Sequence, residues 1–337
     1  MSRPFSVRKL LLPLVPAYRL ALLLREVRLG TRLEPVRRLR FPVVSIGNLS
    51  TGGAGKTPLA MALAKALERR CLRVDVLSRG YGRRGRSPAR VEPGGSAEEF
   101  GDEPLLIARE TGVPVYVAGQ RFEAGVLAEA ERSADSRAGL HLLDDGFQHR
   151  QLHRDVDILL LNRQDWQDGL LPAGNLREPV EAARRAGAIA IPAGDAELEA
   201  ELRAWGFDGP VWRLERTMEV PAVAGPVAAF CGIARPEQFF AGLEAAGLRV
   251  AVRFAFRDHH RTTGADLKRL ASAARKAGAT ALVTTEKDLV RLGELSAALP
   301  ESLPLKTARL RIEIEREEEA IEWLLGRLGP ASVQPPL

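Results

Sequence analysis

The sequence predicts an α/β fold: a mostly parallel sheet carrying a phosphate-binding loop, with a second, smaller α/β domain joined to it by a two-stranded link. Three observations predict it. Residues 41–67, FPVVSIGNLSTGGAGKTPLAMALAKAL, pass from an apolar, β-branched run through a glycine-rich turn into an Ala- and Leu-rich stretch with helical spacing. Residues 140–149, LHLLDDGFQH, read as an apolar strand ending in two acids. Beyond residue 220, strand and helix patterns alternate again, as in βαβ units. A chain of 337 residues suits two domains, and 45% hydrophobic with 27% charged residues is an ordinary folded composition. The two cysteines, Cys71 and Cys231, are far apart and form no metal-binding spacing, which argues for a reducing compartment and against a disulfide scaffold.

Taken in order, the chain opens on a basic segment. Residues 1–40 hold ten basic and two acidic side chains, a net of +8, whereas the whole chain is only +6. The folded body is therefore slightly acidic, and nucleic-acid binding is not expected. Residues 9–27, KLLLPLVPAYRLALLLREV, are leucine-rich, but the uninterrupted apolar run from Leu10 to Tyr18 is far shorter than the ~20 residues of a bilayer span. Arg19 interrupts it, and no small-residue cleavage site follows, which argues against a signal peptide. Residues 1–30 are expected to form a helix on an anionic membrane surface. The plain alternative is an amphipathic helix packed on the protein's own core.

The next stretch carries the first chemistry. Phe41 to Ile46 reads as a buried strand, and Pro58 lies in the first turn of the following helix, where its missing N–H costs little. Between them, Ser50, Thr51, Gly52, Gly53, Ala54 and Gly55 form a turn whose backbone N–H groups can face a polyphosphate. Lys56 reaches the terminal phosphates, and the Thr57 hydroxyl can ligate Mg²⁺. The strict pattern has glycine seven residues before Thr57, where this chain has Ser50; Gly52 and Gly53 supply the flexibility. The domain spanning 31–210 is thus expected to be P-loop NTPase-like.

Val74 to Leu77 reads as a second strand, and residues 78–90, SRGYGRRGRSPAR, as a mobile basic loop able to clamp an anion. Asp102, heading an apolar helical stretch, reads as a helix cap. Asp144 and Asp145, at the carboxyl end of their strand, have the form of a Walker B element that holds Mg²⁺ directly or through water. Val156 to Leu161 is another strand. The loop LLPAGNLREPV enters a helix at Pro179 and brings Arg177 and Glu178 as candidate charge partners for nucleotide or metal.

The smaller domain is expected over 220–305. It contains a helix starting near Pro236, a strand from Val250 to Phe256 ending in Asp258-His259-His260, a helix capped near Thr263, and a strand–helix unit in ATALVTTEKDLVRL. Residues 308–315 alternate strictly and are expected to pair with 211–218. In this reading, 306–330 supply a link strand and a helix that returns to the first domain.

In order, GNLSTGGAGKTP, SRGYGR, GDEP, LLDDGFQH, PAGNLREP, FRDHH and TTEKD resemble the tetraacyldisaccharide 4'-kinase (lipid A 4'-kinase) family, over essentially the whole chain and with no departure at these positions. The resemblance implies ATP-dependent phosphorylation of the 4'-hydroxyl of an anionic, acylated disaccharide 1-phosphate, with Mg²⁺. It places the protein at the cytoplasmic face of the bacterial inner membrane, with no obligate protein partner. It also gives Asp102 and His259 weight as a catalytic pair, Asp102 accepting the hydroxyl proton and His259 orienting it, brought together from two domains by closure. A rival from another class is a regulatory or assembly ATPase of the deviant P-loop type. Those proteins carry a signature lysine where this chain has Thr51. A non-enzymatic nucleotide-binding membrane adaptor, a third class, would have no use for Asp102 or His259.

Overall fold

The computed structural model describes residues 7–31, 33–53, 55–131 and 139–329. Ala54, named above as part of the phosphate loop, lies outside the described residues, as do residues 1–6 of the basic segment. The chain divides into two compact units. The first comprises residues 1–78, 120–215 and 313–337; the second comprises 79–119 and 216–312. Residues 79–119, which the sequence reading set inside the 31–210 domain, thus group with the second unit.

Six parallel strands build the first unit. Their spatial order is Arg73–Ser78, Gly139–Asp144, Val43–Asn48, Val156–Leu160, Ala188–Pro192 and then Val211–Glu219. Such strands are covered on both faces, which is why they read as continuous Val, Ile and Leu runs. The first strand is buried along its whole length. It begins at Val43 rather than at Phe41, because Pro42 has no N–H to give to a ladder. The phosphate loop leads from that strand into the helix Lys56–Arg69, which buries Leu59, Leu63 and Leu67 at helical spacing. Pro179 precedes a 3-10 helix, Val180–Arg185, where an α-helix was expected.

The N-terminal helix Val15–Gly30 belongs to this unit and follows a 3-10 segment, Val7–Leu14. Val15, Tyr18, Leu22, Arg25 and Leu29 recur at three- and four-residue spacing, and these are the residues drawn toward the protein. The opposite side is apolar too: Leu20, Leu23, Leu24 and Val27 are all exposed, as are Leu10, Leu12 and Leu14 before them. The segment packs on its own protein and still presents leucines to the outside.

The second unit has four parallel strands in the order Val250–Ala255, Val227–Cys231, Ala281–Thr285, Leu305–Ile314. Alternation along the second of these feeds two cores. Val227, Ala229 and Cys231 pack on Phe239, Phe240 and Leu243, while Ala228 and Phe230 pack on Leu267, Leu270 and Ala274. A short antiparallel pair joins Ala89–Arg90 to Val115–Val117. Val211–Glu219 and Leu305–Ile314 are neighbouring strands, each with one end in each unit. Glu315 N–H donates to the Arg213 carbonyl at 2.9 Å on the first-unit side. Arg311 meets Glu219 at 3.0 Å on the other. The helix Glu317–Leu328 then packs against the first unit's Lys56–Arg69 helix.

Candidate active site

In the first unit the phosphate loop is built around Asn48, the last residue of its strand. Asn48 is fully buried, and its side-chain oxygen accepts from Lys56 Nζ at 2.8 Å and from Arg177 Nη2 at 2.6 Å. Its amide nitrogen donates to Ser50 Oγ at 3.0 Å. One side chain thus fixes the loop's lysine, its first turn and an arginine from another loop. Gly55, in the left-handed region at φ 94°, turns the chain into the helix. With no side chain to cap that helix, its first N–H groups and the positive end of its dipole stay available to an anion.

Asp145 faces this cluster from the turn after Gly139–Asp144. Arg177 grips it with two bonds, Nη2 to Oδ1 at 2.9 Å and Nη1 to Oδ2 at 3.2 Å, and Lys56 Nζ lies 3.3 Å from Oδ1. Burial would raise its carboxyl, but Lys56 and Arg177 outweigh burial and hold it well below the ordinary range. The turn fits because Gly47 lets it approach: a Cβ there would sit 2.5 Å from the Phe147 Cβ. Gln148, in the same turn, donates to the Asn48 carbonyl at 3.0 Å. Asp144 is buried at the strand end.

The segment carrying Arg177 is laced to the loop by backbone bonds, from Arg177 N–H to the Leu49 carbonyl at 2.7 Å and from Thr51 N–H to the Asn175 carbonyl at 2.8 Å. Glu178, its side chain 4% exposed, is paired with Arg185 at 2.5 Å and Arg25 at 3.6 Å. The N-terminal helix reaches this segment as well. Tyr18 donates to the Arg177 carbonyl at 2.8 Å, and Arg25 donates to the Gln148 carbonyl.

Asp102 and His259 come together within the second unit, so their approach needs no closure between domains. Asp102 opens the helix Asp102–Thr111, with Gly101 at the cap position. Asp102 is thus the first residue inside the helix rather than its cap, and its Oδ1 accepts only the adjacent Glu103 N–H, at 2.9 Å. Oδ2 faces His259 Nδ1 at 3.3 Å and two cations from the helix Glu286–Leu292: Arg291 Nη2 at 2.5 Å and Lys287 Nζ at 3.9 Å. The Tyr81 ring lies against the His259 ring, with centroids 4.8 Å apart. His260 is occupied elsewhere, bonded to Asp266 at 3.0 Å and stacked on Phe256.

The structure therefore gathers Lys56, Arg177 and Asp145 into one cluster in the first unit and Asp102 with His259 into another in the second. Sequence reading missed Asn48, Gln148, Lys287, Arg291 and Tyr81. Asn48 carried a signal, a polar residue closing an otherwise apolar strand directly before the glycine loop. Lys287 and Arg291 carried one as well, cations four apart on one helical face. Cys231 is buried, which pushes its thiol up to about 12 and leaves it a packing residue.

A parallel sheet, a glycine loop capping a helix, a lysine opening that helix and an acid at the end of the neighbouring strand define a P-loop nucleotide-dependent protein. Within that class the chain belongs to the tetraacyldisaccharide-1-P 4'-kinase (LpxK) family, whose model matches residues 7–329. The tetraacyldisaccharide 4'-kinase of Koribacter versatilis (strain Ellin345) is 41% identical over 312 residues, covering 89% of this chain and 93% of that protein. That of Syntrophobacter fumaroxidans is 42% identical over 288 residues, covering 77% and 74%. Among solved structures, LpxK from Aquifex aeolicus in complex with ATP is 32% identical and superposes with a TM-score of 0.74, covering 96% of this chain and all of that one.

Proposed function

We propose that the protein is an ATP-dependent kinase that phosphorylates the 4'-hydroxyl of a tetraacyldisaccharide 1-phosphate in lipid A biosynthesis. The observation that carries the reading is the Asn48-centred cluster, in which a phosphate-loop lysine, an arginine and a carboxylate converge at a helix N-terminus in a chain of this family. Lys56 and the loop N–H groups bind the β- and γ-phosphates, and Arg177 adds charge where the transition state accumulates it.

Among the described residues no group of three or more His, Cys, Asp or Glu forms a metal cage. Mg²⁺ takes one or two protein ligands and completes its shell with phosphates and water. The Thr57 hydroxyl and the Asp145 carboxylate are the donors we assign to it, with Asp144 in support and Glu178 as a further acid at this end of the loop. Bound there, Mg²⁺ supplies charge neutralisation along the phosphates. Asp102 with His259 receives the proton of the sugar hydroxyl.

The acceptor is an anionic lipid, and no helix among the described residues is long and apolar enough to cross a membrane. The exposed leucines of residues 10–27, flanked by exposed Arg19 and Arg28, fit a helix lying in a lipid surface. We assign the protein to the cytoplasmic face of the inner membrane, held peripherally by this segment.

Incubating the purified protein with γ-labelled ATP and the disaccharide lipid in detergent tests the assignment. Label on the lipid is the expected result. Release of label as inorganic phosphate only, with an unmodified lipid, would instead favour a P-loop ATPase.

A further inference from the structure

We propose that Arg291 is the positioning residue of the Asp102–His259 pair, fixing the carboxylate and the imidazole in one rigid arrangement; this rests on the reading that the pair handles the hydroxyl proton. A guanidinium has five N–H donors in a fixed fork and no acceptor. Here all five have a partner. Nε and Nη2 both reach Asp102 Oδ2, at 2.6 and 2.5 Å. Nη1 donates to the Gly232 carbonyl at 2.6 Å and to Asp288 Oδ1 at 2.9 Å. The second Nη2 donor lies 3.3 Å from His259 Nδ1.

The fork is itself braced from behind. Asp288 is buried, accepts the Gly232 N–H at 3.1 and 3.0 Å, and bonds the cap residue Thr285 at 2.7 Å. The arginine side chain is 6% exposed and that of His259 32%, so the buried group orients and the more open one presents itself. His259 Nδ1 lies 3.3 Å from both the arginine's Nη2 and Asp102 Oδ2, so the guanidinium borders the carboxylate and the imidazole at their point of contact. The other charged groups facing the pair are Lys287, which also holds Glu103 at 2.8 Å, and Asp258, whose Oδ2 lies 3.8 Å from Nε2. Tyr81 covers the ring. None of these touches both Asp102 and His259 within hydrogen-bond distance as Arg291 does.

A purely structural arginine and a positioning one differ in what their loss does to the pH profile. The test compares wild type, Arg291→Gln, Arg291→Lys and Asp102→Ala for kcat, for the KM of each substrate, and for kcat against pH, with ATP affinity and melting temperature as folding controls. Arg291→Gln is expected to lower kcat on the order of 10²-fold, to leave the KM for ATP unchanged, and to move the acid limb of the profile upward. The direction follows because a carboxylate that loses its cation binds protons more readily. Added guanidinium should restore part of the rate. Arg291→Lys keeps the charge but not the fork, so its profile should stay near the native one while kcat still falls; should Arg291→Gln not fold, this variant carries the test.

Native kcat in either Arg291 variant, with Asp102→Ala inactive, would overturn the inference and leave the pair intact. A fall in kcat of Arg291→Gln with an unmoved acid limb would also overturn it. Near-native activity of Asp102→Ala would remove the reading of the pair on which the inference stands.

Discussion

Asp102 is a buried carboxylate held as an anion. Burial raises its proton affinity, but the bond from His259 and the charges of Lys287 and Arg291 outweigh burial and hold it well below the usual carboxylate range. Its contribution to stability is therefore present above its unfolded value of about 4 and is lost as pH falls toward the depressed folded one. Across neutral pH it is therefore an anion, the state that the proposed role as proton acceptor requires. Asp102→Ala and His259→Ala should each lower kcat by about 10²–10⁴-fold, roughly 3–5 kcal/mol, with ATP binding retained. Since the two share one arrangement, the double variant should be little worse than the poorer single; fully multiplicative losses would show independent roles. His260→Ala should be mild, because His260 serves the Thr263 capping box through Asp266. Sequence alone made Asp102 a helix cap, but Gly101 takes that position and Asp102 is the first residue inside the helix. The cations on Oδ2 stand some 190 positions further along the chain, beyond any local pattern.

At the scale of elements, the N-terminal helix has two distinct faces. Its inner face brings Tyr18 and Arg25 to the segment holding Arg177 and Glu178, and its outer face is apolar without a cover in the described residues. Replacing Leu20, Leu23 and Leu24 by serine should release the protein from anionic vesicles and raise the apparent KM for lipid more than for ATP. High salt should weaken the remaining attraction, worth ~1 kcal/mol per basic residue near the surface. Vesicle flotation measures both, and binding that survives the triple change would mean that the helix only packs. The split of this helix into two faces was not legible in the sequence, because Leu22, which turns inward, and Leu23, which does not, are chemically the same. The strand–loop–helix at 43–69 was legible because glycine, Pro58 and the change of period are all local signals. So was the alternating strand at 305–314, although its start extended three residues beyond the expected 308.

At the scale of the molecule, the chain leaves the first unit at residue 79 and again at 216, so each unit is assembled from distant stretches. Composition shifts mark only the second of these exits. The first was hidden, since 79–119 follows a parallel strand as any crossover would, and what assigns it to the second unit is the packing of Asp102–Thr111 on Glu286–Leu292. The link was legible because the strictly alternating strand near 308 needed a partner, and 211–218 could supply one. Lys56, Asp145 and Arg177 lie in one unit, and Asp102 with His259 in the other.

The central claim is that transfer to the lipid runs from the Asn48-centred phosphate loop. The most direct test is Lys56→Ala measured beside wild type for label transfer from ATP to the disaccharide lipid. Removing the cation that meets the β- and γ-phosphates should cut turnover by about 10²–10³-fold or more while the fold persists. A folded Lys56→Ala protein that still labels the lipid at the wild-type rate would contradict the account.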